Sequence, residues 1–292
     1  MKRFVVLLAL LSILLLPRTS WSQASTDTLT ENEIRELIRK SADNDVGNTK
    51  RQRDYTYVQR NEQRHLDGDG HVKSTESKTY EIMVLSGDPA EKLIAKDDKP
   101  LSEKEAQKED DKIQKLITKY EKESESDRNK RVAKAARETE EDRQFVREIA
   151  DAFKFRLTAV ETIEGRPAYV IDADPIPGYK PKLKDAGILP KVRFRIWIDK
   201  ADTQWARLDI ECIDTISWGL FLARLHKGST MHLEQTRVND EVWLPKHFTL
   251  KMDARVVLLK SLNMDIDVTF RDYRKFVAET TINPIGEVPE AR

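Results

Sequence analysis

The sequence predicts an α+β fold that is mostly antiparallel sheet, and three observations carry that prediction. From Lys191 to Phe276 apolar and polar residues alternate with a period of two. Val192, Phe194, Ile196 and Ile198 stand against Arg193, Arg195, Trp197 and Asp199, and Leu208, Ile210 and Cys212 against Arg207, Asp209 and Glu211; Phe248 to Val256 and Leu262 to Phe270 repeat the pattern. Such alternation marks strands with one buried and one wet face. Polar turn formers divide the runs, at Asp199-Lys200-Ala201-Asp202, Asn239-Asp240 and Lys260-Ser261, so consecutive strands form a meander. Outside this stretch, apolar residues recur at helical spacing behind two capping boxes, Thr30 to Glu33 and Ser102 to Glu105.

Within the meander, placing Trp197 opposite Trp205 sets Phe194 against Leu208 and Val192 against Ile210, apolar against apolar. Pairing Val238 with Glu241 and extending the ladder sets Phe221 near Leu258 and Leu222 near Val257. Two unusually apolar stretches, 218–222 and 256–259, then lie side by side.

The 292 residues suffice for one substantial core with an appendage. Charged residues make up 35% and cancel, 51 basic against 51 acidic, which argues against a dedicated nucleic-acid binder. Met1-Lys2-Arg3 followed by the apolar run Phe4 to Leu16 reads as a signal peptide, with small residues at Ser20 and Ser22 placing cleavage after Ser22 or Ala24; a membrane anchor is the alternative, although the run is shorter than the roughly 20 residues a span needs. Cys212 is the only cysteine, so no intramolecular disulfide forms, and its apolar strand face suggests a small buried hydrophobe.

After the first capping box, Ile34, Leu37 and Ile38 form an amphipathic helix expected to end near Asp45 to Gly47. Tyr55 opens a strand, Asp67-Gly68-Asp69-Gly70 turns it into a second running from His71 to Leu85, and Glu91 to Lys96 adds a third. The aspartates of that turn could suggest a calcium loop, but the remaining ligands of an EF-hand are missing and Asp-Gly suits a hairpin. Residues 102–145 are dominated by interleaved charge. Ile113, Leu116, Ile117 and Tyr120 make one helical stripe and Val146, Ile149, Ala150 and Phe153 another, with a break between Ser124 and Asn129. This segment is either an arm that contacts a partner or a solvated helical pair held by i,i+4 charges. Phe155 to Thr162 and Arg166 to Ala173 form a hairpin at Glu164-Gly165, and the prolines at 175, 177, 181 and 190 make the next segment an irregular loop.

Motifs for phosphate binding, nucleophilic hydrolysis and zinc peptidase chemistry do not occur in the sequence. None of the histidines 65, 71, 226, 232 and 247 has a metal-site spacing; His226 and His232 could share a strand face without making a site. Asp172 and Asp174 alternate on a strand and read equally as a carboxylate pair or a polar strand end. No catalytic residue, metal or cofactor is therefore expected, and a hydrolase is the least supported class.

The segments Arg195-Ile196-Trp197-Ile198-Asp199-Lys200 and Glu241-Val242-Trp243-Leu244-Pro245-Lys246, in an exported chain with a capped first helix, resemble the outer-membrane lipoprotein-sorting proteins of the LolA-like superfamily over most of residues 30–276. The resemblance implies a curved, incomplete β-barrel of about eleven strands covered by helices. It makes 1–22 a signal peptide, 23–292 one half-barrel domain and 102–145 a charged helical insertion. It also implies an apolar cavity that takes acyl chains of lipoproteins or other lipids. The function expected on that basis is a non-enzymatic periplasmic carrier for outer-membrane sorting. The alternative is a cell-envelope sensor or scaffold that binds a protein partner through the 102–145 helices. The bulky residues Trp218, Leu220, Phe221, Leu222, Val257 and Leu258 are the expected ligand contacts, with ordinary core packing as the alternative for each.

Overall fold

The alternating runs pair into a single antiparallel sheet in the computed structural model, which describes residues 28–218, 223–256 and 262–276. Its strands are β1 (Tyr55–Leu66), β2 (Val72–Leu85), β3 (Asp88–Lys96), β4 (Lys99–Pro100), β5 (Phe153–Ile163), β6 (Arg166–Pro175), β7 (Val192–Asp199), β8 (Trp205–Cys212), β9 (Ile216–Trp218), β10 (Ala223–Leu225), β11 (Thr230–Val238), β12 (Val242–Val256) and β13 (Leu262–Lys275). Three α-helices, α1 (Glu31–Gln52), α2 (Glu103–Glu121) and α3 (Glu125–Ala152), and a 3-10 helix (Lys184–Lys191) complete the described residues.

The sheet order is β4-β3-β2-β1-β13-β12-β11-β8-β7-β6-β5, and the sheet does not close. The meander β5 to β13 carries the chain across, and the N-terminal strands return beside β13 through the β1–β13 ladder. Short β10 pairs with the end of β12 that β11 leaves uncovered, and β9 pairs with β10. The curved, open sheet with helices on it is the architecture expected, with thirteen described strands where about eleven were anticipated. Three of the thirteen, β4, β9 and β10, are pieces of two or three residues, too short to show a period.

Helix α1 starts at the Thr30 capping box, in which the hydroxyl of Thr30 accepts from Glu33 N–H and the Glu33 carboxylate accepts from Thr30 N–H. It continues past the predicted end, through Gly47, to Gln52. The reason is tertiary. The Asn48 side chain is buried and pairs with both backbone groups of Trp243 in β12, Nδ2 donating to O at 2.7 Å and Oδ1 accepting from N–H at 2.8 Å, and Gln52 adds a third bond to the same carbonyl. These bonds outweigh the roughly 1 kcal/mol that an interior glycine costs a helix.

The two helices are separate as predicted, but the break falls at 122–124 and not between Ser124 and Asn129: α2 stops at Glu121, and α3 starts behind Ser124, whose hydroxyl accepts from Asp127 N–H and caps the helix that runs through 125–129. The stripe of Ile113, Leu116, Ile117 and Tyr120 seals α2 onto Leu85 and Ala90 of β2 and β3. Phe153, assigned above to the stripe of the second helix, is the first residue of β5, because the chain passes from helix to strand with no intervening loop. Buried Glu148 of α3 accepts from Tyr179 O–H and from the N–H groups of Lys182 and Leu183, fixing the Pro-rich loop against the helix.

The β7–β8 register differs from the predicted one by two residues: Ile196 faces Leu208, Phe194 faces Ile210 and Val192 faces Cys212. The loop is longer than a four-residue turn. It closes with Asp199 N–H donating to Gln204 O, and it holds Thr203 at φ +52°. A slip of two leaves every side chain on its predicted face. At β11–β12, Val238 faces Val242 instead of Glu241. Beyond the irregularity in that ladder the pairs Ala223–Val256, Arg224–Arg255 and Leu225–Ala254 have the predicted register. The predicted pairs Phe221–Leu258 and Leu222–Val257 lie outside the described residues.

Candidate functional site

The inward face of the meander does not pack completely against the helices. Between them lies a cavity of about 500 Å³, walled on the sheet side by Val192, Phe194 and Ile196 of β7, Leu208 and Ile210 of β8 and Leu250 of β12. The opposite wall is Ala42 and Val46 of α1 with Phe145, Val146 and Ile149 of α3.

The side chains of α1 explain why the space exists. Its inward stripe begins with Ile34 and Ile38, which are buried in the main core with Phe153, Ile171 and Ile198. One turn on, the inward residues are Ser41, Ala42, Asp45 and Val46. Bulky residues clamp the first half of the helix to the sheet, and small ones leave a gap under the second half. Protein interiors hold few voids larger than a water molecule. Sealed and empty, a cavity of about 500 Å³ would cost roughly 12 kcal/mol at about 24 cal/mol per Å³, comparable with the whole stability of a domain. The space is therefore one that solvent or a ligand occupies. Val46, Thr49, Thr139 and Arg143 also line a second depression, bounded by the turn at Ser86, Gly87 and Asp88, so the cavity opens through the gap between α1 and α3. Across that gap Asp43 pairs with Arg143 and Arg147, each at 3.6 Å, and Arg39 with Asp151 at 3.2 Å.

The far half of α1 is tied down by polar bonds. Asn44 Nδ2 donates to the carbonyls of Asp202 and Thr203 in the β7–β8 loop. Asp45 Oδ1 accepts from Gln204 Nε2 at 2.6 Å and Trp205 Nε1 at 3.0 Å. The loop is itself organised by Asp199, 1% exposed, which accepts from both Arg166 Nε and Nη2 and from the N–H groups of Ala201 and Asp202. Asp202 accepts from Trp243 Nε1 at 2.9 Å and pairs with Arg166 at 3.1 Å. The two segments that carry the sequence resemblance, 195–200 and 241–246, thus meet around Arg166 and hold α1 over the cavity. Nothing in either segment read alone assigned them that role, because the contact spans about 40 residues.

Burial pushes the Asp45 carboxyl above its ordinary value, against the bonds from Gln204 and Trp205. Its charged form is thus less favourable in the folded chain than in the unfolded one. Stability is therefore favoured below the unfolded value of 3.8, where the group is neutral in both states, and is reduced as pH rises through the higher folded value and the buried group must ionise. Asp45→Asn keeps an acceptor for both donors and removes the charge. Its stability should match or exceed that of the wild type at neutral pH, by up to about 1 kcal/mol, and the difference should vanish in acid. Urea denaturation at the two pH values reads this directly.

Of the predicted ligand contacts, Leu220, Phe221, Leu222, Val257 and Leu258 lie outside the described residues, and Trp218 is described for its backbone alone, paired with Ala223. Ile216 and Leu225, which flank 218–222 in the chain, do line the cavity. The strand-face residues, identified by their alternation, are its main wall, whereas the contribution of α1 was missed: a small residue in an amphipathic stripe gives no signal of the gap it leaves. Cys212 is buried on the cavity wall and its thiol donates to Asp214 O, while Ser229 donates to His226 O; both serve turns. Asp172 is engaged by Arg195 and Arg156, which hold its carboxyl below the usual range, so it belongs to an ion-pair ladder on the outer face. His226 sits in the turn before β11 and does not share a strand face with His232.

No protein-family model and no curated protein matches the chain. Among solved structures it is similar to a DUF1329 family protein from Desulfovibrio piger, with 11% identity over 87% of this chain and 96% of the other and a TM-score of 0.31. It is also similar to a putative outer membrane lipoprotein-sorting protein domain from Vibrio parahaemolyticus, with 10% identity over 85% and 95% and a TM-score of 0.33. A third similar structure is a LolA superfamily protein from Nitrosomonas europaea, with 10% identity over 86% and 94% and a TM-score of 0.27. None of the three reaches a TM-score of 0.5, and identities this low establish neither an activity nor a cargo.

Proposed function

We propose that this protein is a carrier or binding module of the cell envelope that holds the acyl chain of a lipid or lipoprotein in the cavity under α1. The observation that carries the reading is the cavity itself: about 500 Å³, within the usual range for ligand pockets, with a mainly aliphatic and aromatic wall, the charged residues Asp45, Asp142 and Arg143 on its helix side, and an opening between two helices. Burying methylenes there yields about 0.8 kcal/mol each. A chain of about a dozen carbons then gains roughly 10 kcal/mol before the ordering costs of binding. The ion pairs between α1 and α3 at this opening are largely exposed and contribute only ~0–1 kcal/mol each.

Trp218, Leu220, Phe221, Leu222, Val257 and Leu258 are proposed as further acyl-chain contacts, on the ground that Ile216 and Leu225, which flank 218–222 in the chain, line the cavity. The run Phe4 to Leu16 supports export to the periplasm, and no helix among the described residues is long and apolar enough to cross a membrane. Titration with a fluorescent fatty acid tests the proposal. Saturable binding with one site per chain is expected. If neither that probe nor an acylated peptide binds saturably, the carrier reading fails, and the charged surface of α2 and α3 becomes the better candidate, as a docking face for a protein partner.

A further inference from the structure

On the outer face of the sheet, away from the cavity, two imidazoles and a carboxylate converge from neighbouring strands. His232 and Glu234 lie two residues apart on β11 and so on one face. His247 of β12 is directly opposite Glu234 in the ladder. One ligand atom from each of the three lies within 4.8 Å of the others, and His232 Nε2 is 3.1 Å from Glu234 Oε1. A tetrahedral zinc site with bonds of about 2.0–2.1 Å has edges of roughly 3.3–3.4 Å, so the His232–Glu234 spacing is close to one edge, and His247 has to draw in from within 4.8 Å.

The surroundings resemble those of metal-ligating histidines, whose second ring nitrogen is usually held by a carboxylate. His232 Nδ1 is bonded to Asp209 of β8, which leaves Nε2 directed at Glu234; His247 Nε2 is 3.2 Å from Asp267 of β13. Two guanidiniums lie near these carboxylates: Arg207 is 3.2 Å from Asp209 and 4.0 Å from Glu234, and Arg195, opposite Asp209 in the β7–β8 ladder, is paired with Asp172 at 2.5 Å; Lys246 pairs with Glu164 at 2.7 Å. All three ligands are partly exposed, so a fourth coordination position is open to solvent.

We infer that His232, Glu234 and His247 form a binding site for a divalent first-row transition cation of the zinc class, the class that an N₂O donor set suits. The site is independent of the cavity. A second cluster of potential ligands among the described residues, Asp67, Asp69 and His71, is a largely exposed hairpin turn in which Asp67 Oδ1 already accepts from the N–H groups of Asp69 and His71, and it serves as the control.

The experiment is calorimetric titration of the purified, metal-free protein with zinc alone, with circular dichroism to check folding. One zinc per chain is expected, with affinity reduced at least tenfold in His247→Ala and in Glu234→Gln, about tenfold in Asp267→Asn, and not at all in His71→Ala. His232→Ala also removes the partner of Asp209, so the His247 and Glu234 variants decide if it fails to fold. The inference is overturned if the wild type binds no zinc, or if folded His247→Ala and Glu234→Gln bind it as the wild type does, or if binding disappears in His71→Ala instead.

Discussion

Asp199→Ala is expected to destabilise the protein by about 3–5 kcal/mol, the usual cost of removing one partner from a buried charge pair. The carboxylate is almost fully buried, and it satisfies two guanidinium N–H groups and two turn N–H groups at 2.7–3.0 Å. Alanine leaves the turn donors orphaned and Arg166 with Asp202 alone. Asp199→Asn retains an acceptor and should cost less, about 1–3 kcal/mol. The pH dependence follows from the same contacts. Burial acts to raise the Asp199 carboxyl, but Arg166 and the N–H groups of Asp202 and Ala201 outweigh it and hold the carboxyl below its ordinary 3.8. The stabilisation is thus present above 3.8 and is lost as pH falls through the lower folded value. Wild-type stability should fall in acid, and that of Asp199→Ala should fall less. Because Asn44 and Asp45 dock on this loop, the variant should also bind the acyl probe less tightly. A loss below about 1 kcal/mol in urea denaturation would show that the clamp is not structural.

Ile210→Trp is expected to abolish saturable probe binding while leaving the protein folded. Ile210 lies between Phe194 and Met231 in the sheet, and its side chain lines the cavity. An indole there projects into existing space. In a filled core such an enlargement costs about 1–3 kcal/mol; into the cavity it should cost less. Stability and binding are therefore separable in this variant. Asp265→Asn, on the charged side of β13, is the control and should bind as the wild type does. Folded Ile210→Trp that binds with wild-type affinity would place the ligand elsewhere.

The sheet was legible in the sequence because its information is local. Alternation at Val192, Phe194 and Ile196 and at Leu208 and Ile210 assigned each side chain to a face, and a face assignment survives the two-residue slip at β7–β8. The helix caps at Thr30 and Ser102 were local too, as was the interruption near Ser124, whose role as a cap was not read. What could not be read was set by contacts distant in the chain. Asn48 carries α1 past Gly47 because Trp243 is there to receive it. His232, Glu234 and His247 converge only once β11 and β12 are in register, so a search for spacing along the chain misses them. The cavity is the hardest case. It depends on the small side chains of Ser41 and Ala42 facing strands about 150 residues away, and an amphipathic pattern looks the same whether or not the surfaces touch.

The central claim is that the space under α1 holds an acyl chain. Native mass spectrometry of the protein purified from its own cell envelope, with identification of any released lipid, tests it most directly. The account predicts an adduct of one acylated molecule per chain in the wild type, absent from Ile210→Trp purified in the same way. A wild-type spectrum with no lipid adduct, from protein that also fails to take up an added fatty acid, would contradict it.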